Sequence, residues 1–182
     1  MTNFKWKSAS LIVAFTVLFV SGSACADPLF RQMIGTWQGK GTRAYPISGR
    51  QVEVDETVVT TVQSVNGQPA VVSTNQVTEI SSTGTPYSYT TSYWVKAQGE
   101  KPGVYELGNE GATGTGVLGG DGVFRVDQNL GNGYAVHSQT TFSPDGTVYT
   151  EVFMSGTTIQ SRTKVVFTRT TQRVIELLSS PR

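Results

Sequence analysis

Cysteine is nearly absent: the 182-residue chain has only Cys25. That residue falls in a segment expected to be removed, so the rest of the chain can form no disulfide. It must hold together by burial and hydrogen bonding. Histidine is as scarce, with His137 alone. One imidazole and no thiol beyond residue 26 leave scattered carboxylates for a metal, without the spacing of a calcium loop. No metal site and no cofactor are expected. Basic runs are missing too, since charged residues make up 15% of the chain and the formal net charge is +1. Nothing forms the stripe of Lys and Arg that a nucleic-acid surface needs. Long helical patterns, linkers and internal repeats at a fixed period are also lacking, which leaves a single domain.

What is present begins with a leader. Lys5 and Lys7 precede the apolar run LIVAFTVLFV (11–20), and SGSACA follows. This is a basic n-region, an h-region too short to span a bilayer, and an A-x-A-type cleavage site at Ala24-Cys25-Ala26. The expectation is a signal peptide over 1–26 and a periplasmic or secreted domain over 27–182, starting at Asp27. No transmembrane segment would remain after cleavage. Acylation of Cys25 is the lesser alternative, because a lipoprotein signal wants a Leu-like residue three places earlier and Gly22 stands there. A retained anchor is disfavoured by length. Two of the fourteen Lys and Arg leave with the leader, so twelve face thirteen acids in a chain rich in Thr, Ser and Gly. That composition suits strands and turns.

The spacing predicts one short helix. Asp27 is a good N-cap, Pro28 fits the first helical position, Leu29, Phe30, Met33 and Ile34 recur at helical spacing, and Gly35 ends it. Thereafter the period is two. In 51–65, Val52, Val54, Val58 and Val62 share one face; in 86–95, Tyr87, Tyr89, Tyr93 and Val95 do. NGQP, GDG, GNG and SPDG punctuate strand-like runs at 123–130, 134–142 and 147–154, and a last strand covers 162–170. The expected fold is all-β, a single antiparallel up-and-down barrel of eight to ten strands with a short N-terminal helix. Closure is favoured because the chain shows few devices for protecting an open edge.

The segment GTWQGKG (35–41) puts Trp37, Gly39 and Gly41 on one face. Trp37 reads as a plug at one end of the barrel, under the helix. The glycines let the first strand bend and let neighbouring backbone come close. GTWQGKG followed by AYPI resembles the opening of nitrobindin-type heme-binding β-barrels within the lipocalin-like (calycin) group. YWV (93–95), VYEL (104–107) and FTR (167–169) resemble later landmarks of the same barrels. The resemblance implies that Arg169, on the last strand, packs over Trp37. It also implies a heme-ligating His on the last strand, but Arg162 stands there, with Ser161 or Thr163 under a one-residue slip. None is a usual iron ligand.

The remaining candidates are few. His137 shares parity with Ala135, Gln139 and Thr141, the more polar side of its strand, and reads as solvent-facing. A role as heme ligand or general base would need that side turned inward. GTGVLG (114–119) fits a nucleotide-loop pattern formally but has no following helix, and reads as part of a Gly-rich turn region over 108–122. Glu56 falls on the face of Val52, Val54 and Val58, where an acid should not stay unpaired. Either a bulge turns it outward, or it is a polar anchor in an apolar cavity. The expected ligand-binding set is Trp37, Glu56, Tyr87, Tyr89, Tyr93, Phe167 and Arg169. The function expected is binding of a small apolar or amphipathic ligand, without catalysis. The alternatives are a nitrobindin-like heme or nitric-oxide barrel with atypical ligation, and an enzyme using His137 or an interior acid.

Overall fold

The computed structural model describes residues 27–82, 84–109 and 112–170. The leader, with Cys25, lies outside them. Asp27 caps helix α1 (Pro28–Met33), its Oδ1 accepting from the backbone N–H groups of Leu29 and Phe30. Ten strands follow: β1 (Gly35–Tyr45), β2 (Arg50–Val65), β3 (Gln68–Ile80), β4 (Tyr87–Ala97) and β5 (Val104–Asn109) in the first half. The second half holds β6 (Ala112–Leu118), β7 (Val123–Gly131), β8 (Tyr134–Ser143), β9 (Gly146–Ser155) and β10 (Thr158–Arg169). Each pairs antiparallel with its chain neighbours, and β1 pairs with β10 to close the barrel. This is the all-β, up-and-down architecture that the period-two pattern implies.

Short connections keep the order sequential. Asn66 and Gly67, with φ of 53° and 77°, form the two-residue link between β2 and β3. Both central residues need positive φ in such a turn, and its twist matches that of the flanking strands. The Gly-rich stretch departs from expectation, because GTGVLG lies largely on β6 and is not a turn. Its glycines make room for neighbours: a Cβ at Gly116 would meet the ring of Phe124, and one at Gly114 would meet the Asp127 carbonyl. Packing on an adjacent strand therefore decided what local propensity argued against.

Gly39 and Gly41 follow the same logic on β1. They pair with Phe167 and Val165 of β10, and a Cβ on Gly39 would enter the Phe167 ring. One on Gly41 would strike the backbone carbonyl of Lys164. The space of the missing β1 side chains is taken by β10, by the Phe167 ring at Gly39 and by backbone at Gly41.

Two apolar clusters fill the interior. One joins Leu29 and Phe30 of α1 to Val71, Val95, Tyr105, Leu107, Phe124 and Val126, which seats the helix in one barrel end. Tyr105 donates its hydroxyl to the Asp27 carboxylate, so the N-cap is also a tertiary contact. The other cluster gathers Val52, Val54, Val77, Val165 and Phe167.

Candidate functional site

The alternation that buries Val52 and Val54 also carries Glu56 inward, and β2 pairs with β1 and β3 without a register shift there. No bulge turns the acid out, and it is 9% exposed. It faces a cavity of about 310 Å³ where the two apolar clusters meet, with Leu107, Phe124 and Val126 of one and Phe167 of the other in its wall. That volume is at the small end of ligand pockets.

Polar side chains form a belt across this apolar wall: Asn75 on β3, Tyr93 on β4, Gln128 on β7, and Tyr149 and Glu151 on β9. Burial, and then the neighbouring Glu151, push the Glu56 carboxyl up to about 7, against the pull of Arg43 and a hydrogen bond with Asn75. Tyr149 donates its hydroxyl to Glu151 Oε2 at 2.6 Å. Burial, reinforced by Glu151, raises that phenol well above its ordinary range. The Nε2 of Gln128 is buried and has no hydrogen-bond acceptor.

A second polar group closes the barrel end opposite α1. Arg43 donates from Nη1 to Glu79 Oε1 at 2.5 Å and to the Tyr89 hydroxyl at 2.6 Å, and from Nε to Thr163 Oγ1 at 2.8 Å. Tyr45 donates its hydroxyl to Glu79 Oε2, and Arg50 stacks over the Tyr45 ring with its Nη2 3.8 Å from the same oxygen. This end is filled and its groups are mutually satisfied, as buried polar networks must be.

The expected site residues separate into groups. Trp37, Glu56, Tyr93 and Phe167 all line the cavity. Tyr87 does not: it is 64% exposed at the start of β4, where the strand has run past the cavity, and its ring rests on Tyr89. Tyr89 belongs to the Arg43 network. Arg169 sits outside the cavity, its guanidinium 4.6 Å from the centre of the Trp37 indole, the stacking implied by the resemblance. It donates to the carbonyls of Gln32 and Ile34 at 3.1 and 3.0 Å, while Trp37 Nε1 donates to Met33 O at 2.9 Å. The pair thus satisfies the free carbonyls at the end of α1. Trp37 is half-buried and holds the helix end as much as it plugs the barrel.

His137 is exposed on the outer face, its Nδ1 2.5 Å from Asp127 Oδ1. At the expected heme-ligand position, Arg162 is exposed, while Ser161 and Thr163 are buried and Thr163 accepts from Arg43. These residues do not fit heme iron, which needs a better donor than a neutral hydroxyl or a guanidinium. Among the described residues, no three His, Cys, Asp or Glu are grouped to hold a metal ion.

Sequence reasoning missed Arg43, Asn75, Gln128, Tyr149 and Glu151. A signal existed for two of them: Tyr149 and Glu151 share parity on a strand-like run, the same pattern that marked Glu56. Gln128 carried none, since a single Gln on a strand reads as solvent-facing.

No protein-family model matches the chain, and no curated protein matches it. Solved structures do. An S-type phycobiliprotein lyase, CPES, from Guillardia theta aligns at a TM-score of 0.62 and 12% identity, over 78% of this chain and 90% of that one. Rv2717c from M. tuberculosis aligns at 0.56 and 20% identity, over 82% of this chain and 98% of that one. At such identities the likeness is one of fold. It supports the barrel part of the lipocalin-like resemblance and leaves the nitrobindin-specific part without support.

Proposed function

We propose that this protein is an exported, non-enzymatic barrel that binds a small amphipathic ligand in its interior. The observation that carries the reading is the buried Glu56 facing a cavity of about 310 Å³. A barrel interior meant only for packing would fill that space, as the α1 end is filled by its apolar cluster and the opposite end by the Arg43 network. An apolar wall with a few convergent polar groups is the composition of a binding site. Export is supported by the leader pattern of residues 1–26. Among the described residues, no helix is long and apolar enough to cross a membrane.

A second reading is catalysis by the interior acid. A carboxyl pushed up to about 7 suits proton transfer near neutral pH, and one structural neighbour is named a lyase. Native mass spectrometry of protein purified from its natural source tests both readings. The expected result is a mature chain starting at Asp27 with a non-covalent small molecule of unchanged structure. An empty cavity at near-native conditions counts against ligand binding. A bound molecule that turns over during incubation, but not with E56Q, supports catalysis instead.

A further inference from the structure

The interior holds more acids than cations. Three carboxylates face inward among the described residues: Glu56, Glu79 and Glu151, the first two almost fully buried. Arg43 donates to Glu79 at 2.5 Å, and the rim residue Arg50 approaches the same carboxylate. Glu151 keeps the Tyr149 hydroxyl and a long ion pair with Arg43, whose Nη2 lies 3.9 Å away, beyond hydrogen-bond reach. Glu56 keeps an amide, Asn75. The two acids that line the cavity therefore lack a cation within hydrogen-bonding distance, and each raises the cost of the other's charge. Elsewhere in the same wall, the Gln128 Nε2 is a buried donor without an acceptor.

We propose that the cavity takes a ligand carrying a protonated amine, held between Glu56 and Glu151, and a hydrogen-bond acceptor that meets Gln128 Nε2. The proposal rests on the ligand-binding reading above and names the chemical class of the ligand. An ammonium has three donors and no acceptor, so it matches two carboxylates that each hold a single neutral donor and have oxygen lone pairs to spare. A carboxylate or phosphate ligand would add a third negative charge at the same spot. Val58, Phe124, Val126 and Phe167 form apolar wall for the carbon skeleton.

Isothermal titration at pH 8 tests this with n-octylamine, n-octanol and octanoate. An alkylamine, like lysine, keeps its proton there. The expected result is octylamine binding at least about ten-fold tighter than octanol, the scale of one charge-assisted hydrogen bond in a buried site. Octanoate should not bind. E56Q and E151Q, near-isosteric changes, should each abolish the preference for octylamine over octanol. A fourth probe, 8-amino-1-octanol, should bind tighter than octylamine to the wild type and equally to Q128L. If octanol or octanoate binds as well as octylamine, or if the preference survives in both glutamine variants, the ammonium proposal falls and the ligand-binding reading stands. If no probe binds, both fall. Gain from the added hydroxyl that persists in Q128L removes Gln128 from the site.

Discussion

Glu56 carries a stability cost that depends on pH in a definite direction. Its carboxyl is lifted from an ordinary 4.5 to about 7, chiefly by burial. Between those values the folded protein holds a proton that the unfolded chain has released, so stability falls as pH rises. The protonated group's contribution is fully present below about 4.5 and is lost as pH passes through about 7. The span corresponds to roughly 3 kcal/mol, reduced by whatever relaxation the cavity allows. E56Q does not titrate. Its thermal midpoint relative to the wild type is expected to rise by several degrees between pH 5 and pH 8. An offset that stays constant over that range would show that Glu56 is solvated and titrates as an ordinary acid. Glu151, Arg43, Tyr93, Tyr149 and Asn75 surround it, so the comparison is best made with E151Q alongside.

Strand β1 and helix α1 are held by contacts that can be separated by mutation. A Cβ on Gly39 would meet the Phe167 ring and a Val165 methyl, which can shift; one on Gly41 would meet the Lys164 backbone, which cannot. G41A is therefore expected to destabilise more than G39A, by about 3 kcal/mol against about 1–2, the range of overpacking effects. Equal denaturant midpoints for the two variants would mean that β1 moves away from β10 as a unit. At the other end of β1, Trp37 and Arg169 share the carbonyls of α1. W37A should cost about 3 kcal/mol, the low end for aromatic truncation because the ring is half-buried. R169A should cost about 1 kcal/mol, and the double variant less than the sum, because both changes free the same helix end. Strict additivity in a double-mutant cycle would mean that the stacked pair contributes nothing as a pair.

For the whole molecule, the prediction concerns what the barrel refuses. The side chains at the expected last-strand ligand position are an exposed Arg162 and the buried hydroxyls of Ser161 and Thr163, and the chain's one imidazole is on the outside. Hemin titration followed by desalting should leave no Soret band. A sharp band that survives desalting would show that another group ligates iron, with the cavity phenols of Tyr93 and Tyr149 the first to replace by Phe. Such a result would move the nitrobindin-like reading ahead of the amphipathic-ligand one.

Several features were readable without coordinates. The period-two alternation over 51–65 and the turn residues along the chain determine an antiparallel all-β fold, because side-chain direction in a strand follows parity alone. The same parity put His137 outside, Trp37 over two empty positions, and Glu56 on the face of Val52, Val54 and Val58, where only the unbroken pairing of β2 ruled out a bulge that would turn it outward. Parity does not say how far along the barrel a residue sits. Tyr87, Tyr89 and Tyr93 share a face, yet one is exposed, one is tied to Arg43 and one lines the cavity. Glu56 and Glu151 lie ninety-five positions apart in the chain, on β2 and β9, and become neighbours only because β1 and β10 close the sheet between them. Parity set each acid facing inward. Closure set them facing each other, because strand tilt and register, which only the paired sheet defines, determine which inward residues share a level.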